Sequence, residues 1–333
     1  PVLADAGYRV IAMDHLGMGR SDKPIDIESY SYNGHTDRLE QFIAELDLTD
    51  INLFVQDWGS VIGLRVAGEN PDLFSSITVG NGTLAVAPAG YEIFPPVENP
   101  NEIADVPSPF AGIPPQQVPF YDAGTPTGAN PLADDYFADW ATFAMKGESF
   151  SPSEMVEQLT WFDVPADEAA AYDAPFPSRT YMAGARVFPS LANEVPGETD
   201  AAWAGLTSYE DPFLTLWGAN DPGQMGAPQV QQRLISAVPG ADGQPHDRLP
   251  EASHYLQDDQ GEEIATRLID FYGANGLGPT GNESESGPDR ELLGYRAGLY
   301  PTNFPTERKS LSGTHEIVDA GFPRDVTLDD IEI

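Results

Sequence analysis

Two kinds of apolar pattern alternate along the first 80 residues. Residues 8–14 and 51–55 are short, nearly continuous apolar runs rich in β-branched residues, and both predict buried strands. Residues 36–46 carry Leu39, Phe42, Ile43 and Leu46 at helical spacing, and 60–70 read as a second helix ending near Pro71. Residues 1–7 read as the end of a helix and 76–79 as another short strand. Strands alternating with helices predict an α/β fold, a mostly parallel sheet with helices on both faces. From about residue 88 to 198 the rhythm breaks. Proline and glycine are frequent, aromatics cluster at Tyr136-Phe137-Ala138-Asp139-Trp140 and Trp161-Phe162, and no strand alternation is visible. This stretch reads as a helical insertion with long loops over the sheet. The rhythm resumes with a strand at 212–218, a helix near 229–238 and a final helix at 261–272, with Ile264, Leu268 and Phe271 on one face. The expected organisation is a core of residues 1–87 and 205–275, an inserted helical cap of 88–204, and a linker with an acidic tail over 276–333.

Composition narrows the setting. The 333 residues include 53 acidic and 16 basic side chains, a formal net charge of −37. Lysine occurs only at 23, 146 and 309. Hydrophobic residues make up 41%, enough to bury a core. An acidic, lysine-poor folded chain suggests a salt-rich cytoplasm, where ions screen the self-repulsion. The same charge argues against nucleic acid or an anionic membrane as partner. Cysteine is absent, which excludes a disulfide framework and thiolate metal sites. No apolar stretch reaches the length of a membrane span. The chain starts at Pro1 rather than methionine, so this is not expected to be the native N-terminus.

The chemistry starts at Gln56-Asp57-Trp58-Gly59, between the strand at 51–55 and the helix that follows. Strand, tight turn, helix is the setting of a nucleophile elbow, which holds one side chain at the strand tip beside a helix N-terminus. Here that residue is an aspartate. A carboxylate nucleophile forms an ester, so it can attack an sp³ carbon and expel a leaving group. The indole N–H of Trp58 is a donor only and suits an anion. Such a nucleophile needs a base to deliver water and an acid to orient the base. His254 lies in a loop just before the last helix, and Asp221 follows the strand ending at Trp217, which gives the chain order nucleophile, acid, histidine. Each residue has a plainer reading: Asp57 as a helix N-cap, Asp221 as a turn cap before Pro222, His254 as a surface loop residue. His15, His35, His246 and His315 read as structural or solvated. They lack metal-ligand spacing, and no cofactor or metal is called for.

These residues sit within a wider resemblance. Asp14-His15-Leu16-Gly17-Met18-Gly19-Arg20-Ser21-Asp22-Lys23-Pro24, Val55-Gln56-Asp57-Trp58-Gly59, Ala171-Tyr172-Asp173-Ala174-Pro175-Phe176-Pro177 and Ala252-Ser253-His254-Tyr255-Leu256-Gln257 resemble haloalkane dehalogenases of the α/β-hydrolase fold. The resemblance runs from Pro1 to about Asn275. It implies hydrolysis of a small apolar halogenated substrate to an alcohol, a halide and a proton through an aspartyl ester on Asp57. His254 would be the base and Asp221 the acid. In one branch of the family a second halide-binding tryptophan lies in a Phe-x-x-Trp segment of the cap. Phe137-Ala138-Asp139-Trp140 matches it, so the resemblance pairs Trp140 with Trp58 on the halide and puts Phe137 in the substrate pocket. The rival is Trp161. The plainer reading is that Phe137 and Trp140, at i and i+3, are core residues of one helix face. In another branch the acid follows the strand at 76–79, where this chain has Asn81, which cannot carry the charge.

Against that family the early strands and the oxyanion loop after the third are missing, so the chain is expected to be N-terminally truncated. Oligomeric state is left open. In a chloride-rich cytoplasm the expectation is that the halide site binds chloride weakly or that the reaction is not dehalogenation. Two other readings stay open: an epoxide hydrolase with the same aspartate elbow, its acids drawn from Tyr136, Tyr172 or Tyr181, and an inactive fragment or non-catalytic binding protein.

Overall fold

The computed structural model describes residues 1–111, 121–122, 125–126 and 136–279. Among the described residues four parallel strands carry the architecture: β1 (Ile51–Gln56), β2 (Phe74–Gly80), β5 (Phe213–Gly218) and β6 (Asp247–Leu249), side by side in that order. The labels β3 (Tyr121–Asp122) and β4 (Thr125–Pro126) belong to a separate antiparallel pair. The helices are α1 (Val2–Asp5), α2 (Tyr32–Glu45), α3 (Trp58–Glu69), α4 (Tyr136–Lys146), α5 (Pro152–Leu159), α6 (Ala166–Asp173), α7 (Ala183–Val187), α8 (Asp200–Leu206), α9 (Pro228–Ala237) and α10 (Leu256–Ala274).

Period-two alternation along β5 explains the two-faced sheet. Phe213 and Trp217 point into one core with Leu64 and Val66 of α3, Ile77 and Val79 of β2, Leu206 of α8 and Leu234 of α9. Leu214 and Leu216 point into a second core with Ile264, Leu268 and Phe271 of α10. All six residues of β5 are buried, as a strand covered on both faces requires. Trp217 is fully buried, and its indole N–H is satisfied by the carbonyl of Met225 at 2.7 Å. Helices α3 and α8 cross closely: a Cβ on Gly205 would lie 1.8 Å from the Gly68 carbonyl oxygen, so only glycine fits there.

Two further apolar clusters involve α4, α5 and α7. One contains Val61 and Ile62 of α3 with Met145, Val187, Phe188 and Leu191, and Trp58 packs against it. The other, Phe110, Tyr136, Phe143, Phe150, Met155 and Leu159, forms within residues 110–159 and takes in Phe137, Trp140 and Tyr255.

Several boundaries differ from the sequence expectation. Residues 8–14 do not form a strand. They carry no ladder among the described residues, and Arg9, Val10, Ile11 and Ala12 are exposed. An apolar run becomes a strand only where a neighbour takes up its backbone groups. Helix α2 starts four residues earlier than its apolar periodicity, because the Ser31 hydroxyl caps it by accepting from the Gly34 N–H at 3.0 Å. Helix α10 starts at Leu256, and its non-helical Gln260 explains why the regular pattern is visible only from 261. The three-residue β6 was not anticipated. Residues 276–279 fall in the expected linker, and 280–333, with His315, lie outside the described residues. No helix among the described residues is long and apolar enough to cross a membrane.

His35 is fully buried, its ring 4.6 Å from that of Phe188 and 5.5 Å from that of His15, and neither ring nitrogen has a partner among the described residues. Burial, with the nearby His15 and Arg38, pushes its pKa down to about 3. A depressed histidine pKa means that the unfolded chain takes up a proton below its ordinary value while the folded chain does not. Stability is therefore lost as pH falls from about 6.5 toward 3. Replacing His35 with phenylalanine is expected to remove roughly 2 kcal/mol of this loss by pH 5. The check is the difference between variant and wild-type denaturation midpoints from pH 7 to 5, which should grow in the variant's favour.

Candidate active site

The C-terminal ends of all four parallel strands meet at one edge, the place where open α/β sheets present ligand sites. Asp57 follows β1, Asn81 follows β2, Asp221 lies beyond β5 and His254 beyond β6. The register fixes the first pair: Gln56 stands opposite Gly80, so Asp57 meets Asn81, and its N–H donates to the Asn81 carbonyl at 3.1 Å.

Asp57 has φ 47° and ψ −123°, a left-handed conformation that costs a non-glycine residue roughly 1–3 kcal/mol. Surrounding bonds hold it there. Its carbonyl accepts from the Ser60 N–H at 2.9 Å and from the Ser60 hydroxyl at 2.5 Å, and Ser60 Oγ in turn accepts from the Thr83 N–H at 2.8 Å. The turn therefore starts α3 at Trp58 with no side-chain cap from Asp57, against the plain N-cap reading. Its carboxylate stays at the mouth of the turn, with 31% of the side chain exposed.

His254 Nε2 lies 3.7 Å from Asp57 Oδ1, and Nδ1 lies 3.0 Å from Asp221 Oδ2. Asp221 is wholly buried, and its other oxygen accepts from the Gly223 N–H at 2.8 Å, so it caps a turn and meets the imidazole at once. Burial alone would lower the His254 pKa, but the carboxylates of Asp221 and Asp57 outweigh it and raise the imidazole to about 9. For Asp57, burial raises the carboxyl pKa, while the His254 charge and the Trp58 backbone N–H oppose the rise.

Asn81 ties these loops together. Its buried amide donates to the carbonyls of Ser253 at 2.8 Å and His254 at 3.3 Å, while Oδ1 accepts from the Gly218 N–H at 2.8 Å. The sequence by itself excludes Asn81 only as the charged partner. Gln56 was also passed over: its Nε2 donates to the His254 carbonyl at 3.1 Å and lies 3.4 Å from His254 Nε2. The available signal was position, since both residues stand at strand ends on the ligand edge.

Trp58 packs edge-on to Phe188 at 5.3 Å. Trp140 is ringed by Phe110, Phe143 and Phe150 at 5.3, 6.2 and 6.1 Å. Phe137 packs in the same aromatic cluster and also against the Phe94 cluster that Trp58 touches. Unlike Trp217, neither Trp58 nor Trp140 donates its indole N–H to an acceptor among the described residues. Trp161 lies in the turn after α5, its backbone N–H held by Asp259 at 2.7 Å. Of the tyrosines put forward as epoxide acids, two have hydrogen-bond partners and one is exposed. The Tyr172 hydroxyl donates to the Asp258 carboxylate at 2.7 Å, Tyr136 Oη accepts from the Gln224 N–H at 2.9 Å, and Tyr181 is exposed. His246 is structural: Nδ1 accepts from the Thr215 N–H at 3.1 Å and Nε2 donates to the Ala241 carbonyl at 2.8 Å. Among the described residues no group of three or more His, Cys, Asp or Glu side chains could hold a metal ion.

Comparison with known proteins agrees with this architecture. The family model described as the alpha/beta hydrolase fold matches residues 1–257. Haloalkane dehalogenase 1 of Mycobacterium tuberculosis strain H37Rv is 38% identical over 278 residues, covering 81% of this chain and 77% of that protein. The haloalkane dehalogenase of Psychrobacter cryohalolentis is 33% identical over 276 residues, covering 81% and 76%. Among solved structures, the tetrameric haloalkane dehalogenase DpaA from Paraglaciecola agarilytica NO2 superposes with a TM-score of 0.61 at 24% identity, covering 80% of this chain and 75% of that one. The fold is that of the α/β hydrolases, and the chain belongs to their haloalkane dehalogenase family.

Replacing Asn81 with alanine orphans the Gly218 N–H and removes the donor to Ser253. The expected cost is about 2–4 kcal/mol, read as a lowered urea midpoint at unchanged slope.

Proposed function

We propose that the chain hydrolyses haloalkanes through an alkyl ester on Asp57. The observation that carries this reading is a carboxylate held in a strained turn at a helix N-terminus, with an imidazole 3.7 Å away that is itself backed by a buried carboxylate at 3.0 Å. A carboxylate attacks an sp³ carbon in line and displaces halide without prior deprotonation by a base. The departing charge needs donors, and the indole N–H groups of Trp58 and Trp140, free of acceptors among the described residues, suit that role. His254 then takes a proton from water, which adds to the ester carbonyl of Asp57. Asp221 orients the ring and stabilises its positive charge. Breaking the acyl C–O bond releases the alcohol and restores the carboxylate.

In this reading residues 88–204 form the cap over residues 1–87 and 205–275. The aromatic cluster around Phe137 and Trp140 supplies an apolar wall that excludes water and strengthens the electrostatics beneath it. The substrate is accordingly small and apolar. The acidic, lysine-poor composition supports a salt-rich medium.

Electrostatics also orders the two steps. Esterification removes the negative charge of Asp57, one of the two carboxylates that hold the His254 pKa at about 9. The imidazole pKa then falls, so the ring frees its lone pair at the stage where a base is needed. The acid limb of ester hydrolysis is expected to lie below 9, under the titration of His254 in the free protein. Rapid-quench kinetics across pH, set against NMR titration of the ring, measures both.

Incubation with a terminal bromoalkane is expected to release bromide. His254→Gln should release at most one bromide per protein molecule and accumulate the alkylated Asp57 peptide, and Asp57→Ala should release none. Steady bromide release by Asp57→Ala, or diol formation from an epoxide without any bromide release from the bromoalkane, would overturn the proposal.

A further inference from the structure

We infer that Gln56 is a positioning residue for His254: its side-chain amide anchors the histidine loop with one N–H and turns the other toward Nε2, which disfavours a proton there. The inference rests on the reading of His254 as the base.

The orientation of the amide follows from its partners. The His254 carbonyl can only accept, so the amide nitrogen, not its oxygen, must face it, and the distance is 3.1 Å. The same nitrogen lies 3.4 Å from His254 Nε2. An amide nitrogen carries two hydrogens, and with one spent on the carbonyl the other is left for the ring. In the neutral ring with Nδ1–H directed at Asp221, Nε2 presents a lone pair to that hydrogen. In the imidazolium, two N–H groups face each other. Gln56 therefore favours the neutral tautomer with a free lone pair on Nε2, the form a general base needs.

The remaining neighbours of His254 act differently. Asp57 from the elbow, at 3.7 Å, and Asp221 from beyond β5, at 3.0 Å, are the charged groups, and both favour the imidazolium. Asn81 donates to the His254 carbonyl, not to the ring. From α5, the Leu159 carbonyl accepts the His254 backbone N–H at 3.0 Å. Tyr255 packs edge-on to the ring at 5.1 Å. Among the described residues Gln56 is thus the group that presents a donor to Nε2, opposed to two carboxylates. Its place at the last position of β1, next to Asp57, ties the nucleophile and the histidine ring to one strand end. A single residue thereby limits how far the carboxylates can raise the imidazole pKa, and fixes the edge of the ring that faces the ester.

The test uses Gln56→Met, which keeps the length and removes the donors, and Gln56→Glu, which replaces the donor with an acceptor. Two readouts are taken: the NMR titration of the His254 ring, identified by the resonance lost in His254→Gln, and the pH profile of ester hydrolysis in a single turnover. Gln56→Met is expected to raise the His254 pKa by roughly half a unit to one unit, and Gln56→Glu by more. The acid limb of ester hydrolysis should move upward with each. A variant that fails to fold is replaced by Gln56→Asn, whose shortened amide withdraws the donor from Nε2. An unmoved titration in the folded variants overturns the inference, even if activity falls evenly at every pH, since that is the mark of a merely structural role. A titration that moves while the hydrolysis limb stays fixed upholds the action of Gln56 on the ring and refutes His254 as the base.

Discussion

The buried side chain of Asn81 holds the active edge of this molecule in one piece. Three segments far apart in the chain must converge there: the turn after β1, the loop after β5 and the loop after β6. Asn81 meets each through a different atom. Its backbone carbonyl takes the Asp57 N–H, its Oδ1 takes the Gly218 N–H, and its amide nitrogen donates to the Ser253 and His254 carbonyls. A buried amide with its donors and acceptor satisfied rigidifies more than a pairwise sum suggests, and an alternative loop arrangement would strand several polar groups. Its own φ of 36° shows that the backbone accepts strain to put the side chain there. The parallel sheet makes this arrangement available, because parallel strands in register deliver their ends to one side.

The strain at Asp57 and the burial of Asp221 serve complementary ends. A relaxed turn would let the Asp57 carboxylate accept from the N–H groups of α3 beyond Trp58, as an ordinary N-cap does. Holding it at φ 47° leaves it at the mouth of the turn, partly exposed and available. Asp221 is closed off from solvent and spends its oxygens on Gly223 and His254. In the proposed reaction this difference in exposure would separate the roles of two chemically identical groups, one to react and one to orient. Between them the imidazole is pulled toward the charged form by both carboxylates and away from it by burial and by Gln56. In the proposed reaction its protonation would therefore respond to the charge lost at Asp57, which would couple the two chemical steps.

Much of this is legible in the sequence where local pattern and chain order suffice. The strand-turn-helix pattern around Asp57, and the order of Asp57, Asp221 and His254, anticipate three residues that the fold brings within hydrogen-bond or ion-pair range. The α/β architecture is legible for the same reason, since two periodicities alternate. What escaped depends on long-range pairing. Residues 8–14 have a strand's composition, but composition does not supply a partner for its backbone. The β6 strand is three residues long and begins with Asp247 and Arg248, so hydrophobicity gives no hint of it; it exists because β5 offers a ladder. The Asn81 and Gln56 contacts with the histidine loop span 172 residues or more. No local signal distinguishes such residues from ordinary polar strand ends. The start of α10 was misjudged for a different reason: Gln260 interrupts the helix and hides its first turn from a periodicity argument.

The central claim is that water attacks an ester carbonyl on Asp57 rather than the substrate carbon. One turnover in water enriched in heavy oxygen separates the two, because the first path exchanges an oxygen of the carboxylate and the second does not. With attack on the ester carbonyl, the peptide containing Asp57 acquires heavy oxygen while the first alcohol released carries the ordinary isotope. Heavy oxygen in that first alcohol, with an unlabelled Asp57 peptide, would contradict it.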